Sequence, residues 1–247
     1  MKSSPKQIER VFLTLSLFTT FATSFIWGVN TLFLLDAGLT NSEAFAANAF
    51  FTAGMVLFEV PTGVVADTWG RRASFLIGAA TLLVATLFYL YLWHSKGSFY
   101  LWAISSIFLG LGYTFFSGAV EAWIVDALKF SGYNGNMESV FARGQIANGI
   151  AMLTGSVVGG IVAQYFSIGV PFILRSIMLG LTFVFAFIFM KDLGFTPKKA
   201  TQPHKEMARI LKASIDHGWK NPPVRWFMCA APFSAGVGFY AFYAMQP

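Results

Sequence analysis

Charge is the scarcest ingredient of this sequence. Only 11% of its 247 residues are Asp, Glu, Lys or Arg, against about 25% in a soluble domain. So few charges cannot coat a globule. Hydrophobic residues make up 56% of the chain, with 28 Phe among them, and the mean hydropathy is +0.62. The composition is that of a polytopic, all-α membrane protein. Cysteine is reduced to Cys229, which excludes an intrachain disulfide and a cysteine-cluster metal site. The three histidines, His94, His204 and His217, fall in loops or linker, so no histidine chemistry is expected inside the apolar runs. No Gly-x-x-x-x-Gly-Lys-Ser/Thr loop occurs, which removes ATP as a ligand of the usual kind. No metal, no cofactor and no enzymatic activity is expected. The formal net charge is +6. It does not point to nucleic acid, because the basic residues lie between apolar runs.

Those runs cover 11–35, 43–66, 73–93, 99–128, 138–165, 168–190 and 223–246. Each is near the ~20 residues a helix needs to cross a bilayer. The first run begins like a signal peptide, with Ala22-Thr23-Ser24 as a loose cleavage site. It is too long for that, and further spans follow. Fourteen of the seventeen Lys and Arg lie on one side of the implied topology. They are Lys2, Lys6 and Arg10 before the first run, Arg71 and Arg72 between the second and third, Lys129 between the fourth and fifth, and eight between Lys191 and Arg225. The opposite loops hold Lys96 alone. The positive-inside rule then places the N-terminus in the cytoplasm of a multi-pass plasma-membrane protein.

One stretch organises the chain: Phe58-Glu59-Val60-Pro61-Thr62-Gly63-Val64-Val65-Ala66-Asp67-Thr68-Trp69-Gly70-Arg71-Arg72. An apolar run stops inside it, a short basic turn follows, and the next run starts at once. Gly63 is expected to let helix backbones approach closely. Gly70 suits a backbone shape other residues resist. The pattern Gly63-x-x-x-Asp67-x-x-Gly70-Arg71-Arg72 resembles the signature loop between the second and third helices of the major facilitator superfamily, with Thr68 where a basic residue is usual. The resemblance implies two six-helix bundles related by a pseudo-twofold axis. It also implies a charge relay, or conformational latch, of Asp67 and Arg71 with Asp126 at the end of the fourth helix. Three segments are therefore expected: a six-helix bundle over 1–190, a basic cytoplasmic linker over 191–222, and over 223–247 the first helix of a second bundle. Within the linker Met207, Ile210, Leu211 and Trp219 suggest an amphipathic surface helix. On this reading the chain lacks the rest of its C-terminal half.

Charged groups inside spans cost about 2.5–3.5 kcal/mol each on insertion scales, so they are functional suspects. They are Glu59, Glu121, Asp126, Arg143 and Arg175. Gly110, Thr114, Ser117 and Glu121 recur at helical spacing and suggest one polar stripe facing an aqueous cavity. Asp126 points about 140° away from Glu121. Glu121 is expected to pair with Arg143 and, with Glu59, to carry protons. A second stripe runs through Ser16, Thr20, Thr23, Trp27, Asn30 and Thr31. Since the first and fourth helices line the pathway in the resembled family, both stripes are candidates for the substrate cavity. Arg175 has no evident partner, and two readings stay open: an anionic substrate group, or snorkelling outward. Gly155-Ser156-Val157-Val158-Gly159-Gly160 resembles the glycine motif of facilitator antiporters with Ser156 in place of proline. Gly155, Gly159 and Gly160 are read as helix packing.

The function implied is secondary active transport of a small molecule by alternating access, coupled to protons. Aromatic-rich spans and the partial antiporter motif tilt it toward export of amphipathic compounds. The rival is a seven-helix receptor or retinal protein. It requires an outside N-terminus, and the retinal form a lysine in the seventh run, which has none.

Overall fold

The computed structural model describes residues 4–116, 118–196, 212, 215–230 and 233, and all regular structure among them is α-helical. Helix α1 (Pro5–Trp27) starts in a capping box. The Ser4 hydroxyl accepts from the Gln7 N–H, and the Gln7 side chain accepts from the Ser4 N–H. A break at Gly28 and Val29 separates α1 from the short α2 (Asn30–Asp36). Helix α3 (Asn41–Trp69) opens with a second capping box, Thr40 with Glu43. It runs through Pro61, which can donate no backbone hydrogen bond. Gly70, at φ 107°, turns the chain directly into α4 (Arg71–Ser95). Then come α5 (Phe99–Phe116), α6 (Ala119–Phe130), α7 (Met137–Tyr165) and α8 (Val170–Phe189).

Two expected spans are therefore each a pair of helices. The run 11–35 is broken at Gly28, and 99–128 is broken before Gly118, whose φ of 68° suits glycine. Hydropathy cannot see such breaks, because one or two residues barely alter an 18-residue average. Among the described residues, six stretches are long and apolar enough to cross a membrane. The expected seventh run lies largely outside the described residues, as do Met207, Ile210 and Leu211 of the linker.

The chain divides into two compact units, Met1–Lys198 and Lys199–Pro247. Of the second, residues 215–219 and 222–230 are helical. There Lys220 pairs with Asp216 at 2.6 Å, and its hydrogen bond holds the Asp216 carboxyl below the usual carboxylate range.

In the first unit the main contacts are α3 on α5, α1 on α7, α4 on α5, α1 on α8, and α4 on α8. They form a pattern. Counting the broken pairs as single spans, spans 1–3 and 4–6 are two repeats. The contact of the first span with the fifth then corresponds to that of the fourth with the second. The third–fourth contact corresponds to the sixth–first, and the third–sixth contact maps onto itself. Paired inverted repeats of this kind build many transporter folds.

Lipid tails are as apolar as leucine, so close packing rather than hydrophobic burial holds such helices together. Glycines provide it. Gly54 of α3 lies against the Ile107 backbone of α5, and Gly110 of α5 lies against the carbonyl of Phe51 and the N–H of Met55. On α7, Gly155 meets the Ser24 hydroxyl and Gly159 the Phe25 carbonyl of α1. Gly160 and Gly63 do not take part. Both are exposed in this unit, with open space where a side chain would begin. Gly160 is one residue, about 100°, round from Gly159 and so leaves the face that meets α1.

Candidate functional site

Call the end of the bundle that carries the α3–α4 turn the basic end. There Asp67, near the end of α3, and Arg71, the first residue of α4, meet across Gly70. Arg71 Nη1 is 2.7 Å from Asp67 Oδ1, and its Nε is 4.0 Å from Asp126 Oδ2 at the end of α6. The structure thus brings Asp67, Arg71 and Asp126 together. The two contacts are unequal, and Arg71 Nε is buried without a hydrogen-bond partner among the described residues. A cavity of about 180 Å³ is lined by the three side chains together with Gly194, Phe195 and Thr196.

Arg72 does a different job. Its Nη2 donates to the Phe187 carbonyl at 2.7 Å, and its guanidinium lies 5.1 Å from the Phe187 ring centre. Its backbone N–H donates to Asp192 Oδ1 at 2.9 Å. Asp192 was not among the sequence candidates. It supplies the carboxylate that the start of α4 lacks in its own sequence, since Gly70 has no side chain to cap with. A Cβ on Gly70 would collide with that carboxylate. Trp123 Nε1 donates to the Lys191 carbonyl at 2.7 Å, and Gly194, at φ 71°, packs on the Asp126 carbonyl and Phe130. Residues 191–196 are thereby folded onto the charge cluster. Asp192 lies just beyond an apolar run and outside the Gly63–Arg72 pattern, so neither criterion used on the sequence reached it.

A second polar assembly lies inside the bundle. Arg175 of α8 is 1% exposed. Its Nε donates to the Thr86 hydroxyl at 3.1 Å, and its Nη1 to the Ala22 carbonyl at 3.0 Å and the Tyr113 hydroxyl at 3.2 Å. Tyr113 and Thr23 are 3.0 Å apart, and the Thr23 hydroxyl also bonds the Thr19 carbonyl at 3.0 Å. A carbonyl can only accept, so the Thr23 proton goes to Thr19. Tyr113 must then donate to Thr23 while accepting from Arg175. One directed chain runs from α8 through α5 into α1. Snorkelling of Arg175 is excluded, because α1, α4 and α5 supply its acceptors inside the bundle. No carboxylate pairs with it among the described residues. Tyr113, Thr86 and the Ala22 carbonyl escaped the sequence reading, since tyrosine and a main-chain oxygen leave no signature in a pattern of charges.

At the opposite end, Asn30 Nδ2 donates to Asn48 Oδ1 at 3.0 Å. Asn48 Nδ2 and the Thr31 hydroxyl are buried without partners among the described residues. Trp27, just before the break, is 46% exposed. Thr20 donates to Asn148 of α7 at 2.9 Å.

The other expectations fare differently. The stripe from Gly110 to Glu121 is not one face. Gly110 packs on α3, and Thr114 is 2% exposed with its hydroxyl turned back to the Leu111 carbonyl. The break before Gly118 then resets the helical phase, which leaves Glu121 exposed on the first turn of α6. Ser117 lies outside the described residues. Glu121 does not pair with Arg143 in the structure. Arg143 forms its ion pair with Glu9, because α7 packs along α1 and brings that carboxylate within reach. Glu59 is exposed on α3.

A helical membrane bundle with inverted repeats, two broken spans and a charge cluster at a two-arginine turn is the architecture of a transporter of the facilitator class. The Major Facilitator Superfamily model matches residues 12–247. An uncharacterized MFS-type transporter of Methanocaldococcus jannaschii is 24% identical over 200 residues, covering 78% of this chain and 49% of the relative. The chain thus spans about half the length of that curated relative. The crystal structure of PepTSo, a POT family transporter, superposes with a TM-score of 0.64 at 17% identity, covering 82% of this chain and 41% of that one, which shows a shared fold. The chain belongs to the Major Facilitator Superfamily.

Proposed function

We propose that this chain supplies the first six-helix bundle and the start of the second in a plasma-membrane transporter, with its basic end in the cytoplasm. The transporter moves a small molecule by alternating access, and residues 191–222 link the two bundles. The observation that carries this reading is the position of Arg71. One cation stands between two carboxylates on different helices, tightly held by Asp67 at 2.7 Å and loosely by Asp126 at 4.0 Å. A loose, partly buried contact of this kind can be made in one conformation and broken in another. Gly63, Gly70 and Arg72 complete the latch, with Gly63 exposed and so open to contact from a second bundle.

Substrate contact falls to the face around Trp27, Asn30, Thr20 and Thr23, with Thr114, Ser117 and Arg175 supporting it from neighbouring helices. Proton coupling falls to Glu121 and Glu59. Both carboxylates are exposed in this unit, on surfaces that water or a second bundle can reach. The aromatic content of the spans favours amphipathic cargo and outward movement. The test uses the full-length protein in proteoliposomes. Glu121→Gln should keep downhill exchange of a transported dye and lose accumulation driven by a pH gradient. An unchanged pH profile would pass the proton role to Glu59. Loss of dye movement in the unaltered protein, under every gradient, would refute transport of amphipathic cargo.

A further inference from the structure

A further cavity in the first unit lies beside the charge cluster, with Trp123 and Lys191 in its lining but neither Asp67 nor Asp126. It holds about 540 Å³ at the basic end, in a groove between the start of α1 and the end of α8. Arg10 and Lys191 line it, and Val11, Phe185, Ile188 and Phe189 form apolar walls. Arg10 and Lys191 are exposed, and neither has an acidic partner among the described residues. The acids nearest in sequence are both committed elsewhere: Glu9 to Arg143, and Asp192 to the Arg72 N–H at the start of α4. The groove therefore keeps two uncompensated cations above an apolar trough. Its floor is preformed, because Trp123 donates to the Lys191 carbonyl.

We propose that this groove binds an anionic phospholipid, with the headgroup phosphate on Arg10 and Lys191 and an acyl chain along Val11, Phe185, Ile188 and Phe189. The chemistry is that of an amphiphile with a phosphate head. Arginine grips phosphate through paired N–H groups, and lysine adds a point charge. A free phosphate would use only the rim and leave the trough empty. Basic pockets between membrane helices on the cytoplasmic side are suited to such headgroups. The site takes from the proposed function that the chain spans a membrane with its basic end in the cytoplasm, and it is read by lipid binding and not by transport.

The experiment is native mass spectrometry and nanodisc titration of the purified full-length protein with phosphatidylglycerol and phosphatidylcholine. Phosphatidylglycerol should stay bound through purification. Arg10→Gln with Lys191→Gln should weaken it about 30-fold, since each cation near the surface contributes about fivefold. Lys129→Gln, which removes an exposed cation at the same end outside the groove, should leave binding unchanged. Ile188→Trp, which fills the trough and keeps both charges, should displace the lipid too. Millimolar inorganic phosphate should not compete. Equal binding of phosphatidylcholine, equal loss with Lys129→Gln, retention of phosphatidylglycerol in either groove variant, or displacement by phosphate would each overturn the proposal.

Discussion

Arg175 shows how far a single side chain can tie a membrane bundle together. Its guanidinium reaches acceptors on α1, α4 and α5 from α8. Each hydrogen bond to a charged group contributes about 1.5–3 kcal/mol, and stranding the acceptors adds a desolvation cost. We expect Arg175→Met to lower the thermal midpoint of the purified protein by several degrees. Arg175→Lys should not restore it, because an ammonium is a point donor and cannot span three acceptors in a fixed fork. A lysine variant as stable as the parent would refute the clamp. The glycines of α7 give a sharper contrast. Gly159→Ala would press a methyl into the Phe25 carbonyl, whereas Gly160 faces open space. Overpacking costs about 1–3 kcal/mol, while alanine is a better helix former than glycine by about 1 kcal/mol. Thermal unfolding should therefore show Gly159→Ala destabilised and Gly160→Ala neutral or stabilised. Equal effects would mean that α1 and α7 are not in close contact.

At the scale of the element, α4 depends on a cap from elsewhere in the chain. Its first turn has no side-chain cap of its own, and Asp192 fills the place from beyond the end of α8. Loss of an N-cap costs about 1 kcal/mol. Asp192→Ala should therefore speed hydrogen exchange at the amides of Arg72, Ala73 and Ser74 about fivefold, while amides in the middle of α4 keep their protection. Uniform exchange across α4 would show that the cap does not act locally. The two broken spans belong to this scale as well. Gly28 and Gly118 interrupt the first span of each three-span repeat, and each break shifts which residues share a face.

For the whole molecule, the expected orientation is checked by labelling. Cys229 is the only cysteine of these 247 residues, so the background carries Cys229→Ser together with replacement of any cysteine elsewhere in the full-length protein. Cysteines at Ser95 and Ser167 of the full-length protein should react with an impermeant maleimide in intact cells, and one at Ala73 only after permeabilisation. Reversal of that pattern would invert the topology, and would place the groove between α1 and α8 in the outer leaflet. The inverted-repeat contacts carry a further lesson. No internal similarity is visible between the residues of spans 1–3 and 4–6. Their pairing geometry nonetheless corresponds span for span, because small residues at the crossings are enough to specify close approach in lipid.

Composition and the order of residues determined the class of this protein. Scarce charge forced it into the membrane, run lengths placed six spans to within a few residues, and the spacing from Gly63 to Arg72 pointed to the family. The grouping of Asp67, Arg71 and Asp126 was legible through the family resemblance, and it is physically reasonable because unlike charges at a membrane boundary have few partners to choose from. Tertiary structure decided the rest. Whether Arg143 meets Glu121 or Glu9 depends on which helix lies beside α7, and one-dimensional periodicity holds no information on neighbours. The stripe through Gly110 and Thr114 failed at a single left-handed residue, since helical phase survives only while the helix does. Arg175 turned inward because Tyr113, Thr86 and a main-chain carbonyl converge on it from three helices far apart in sequence.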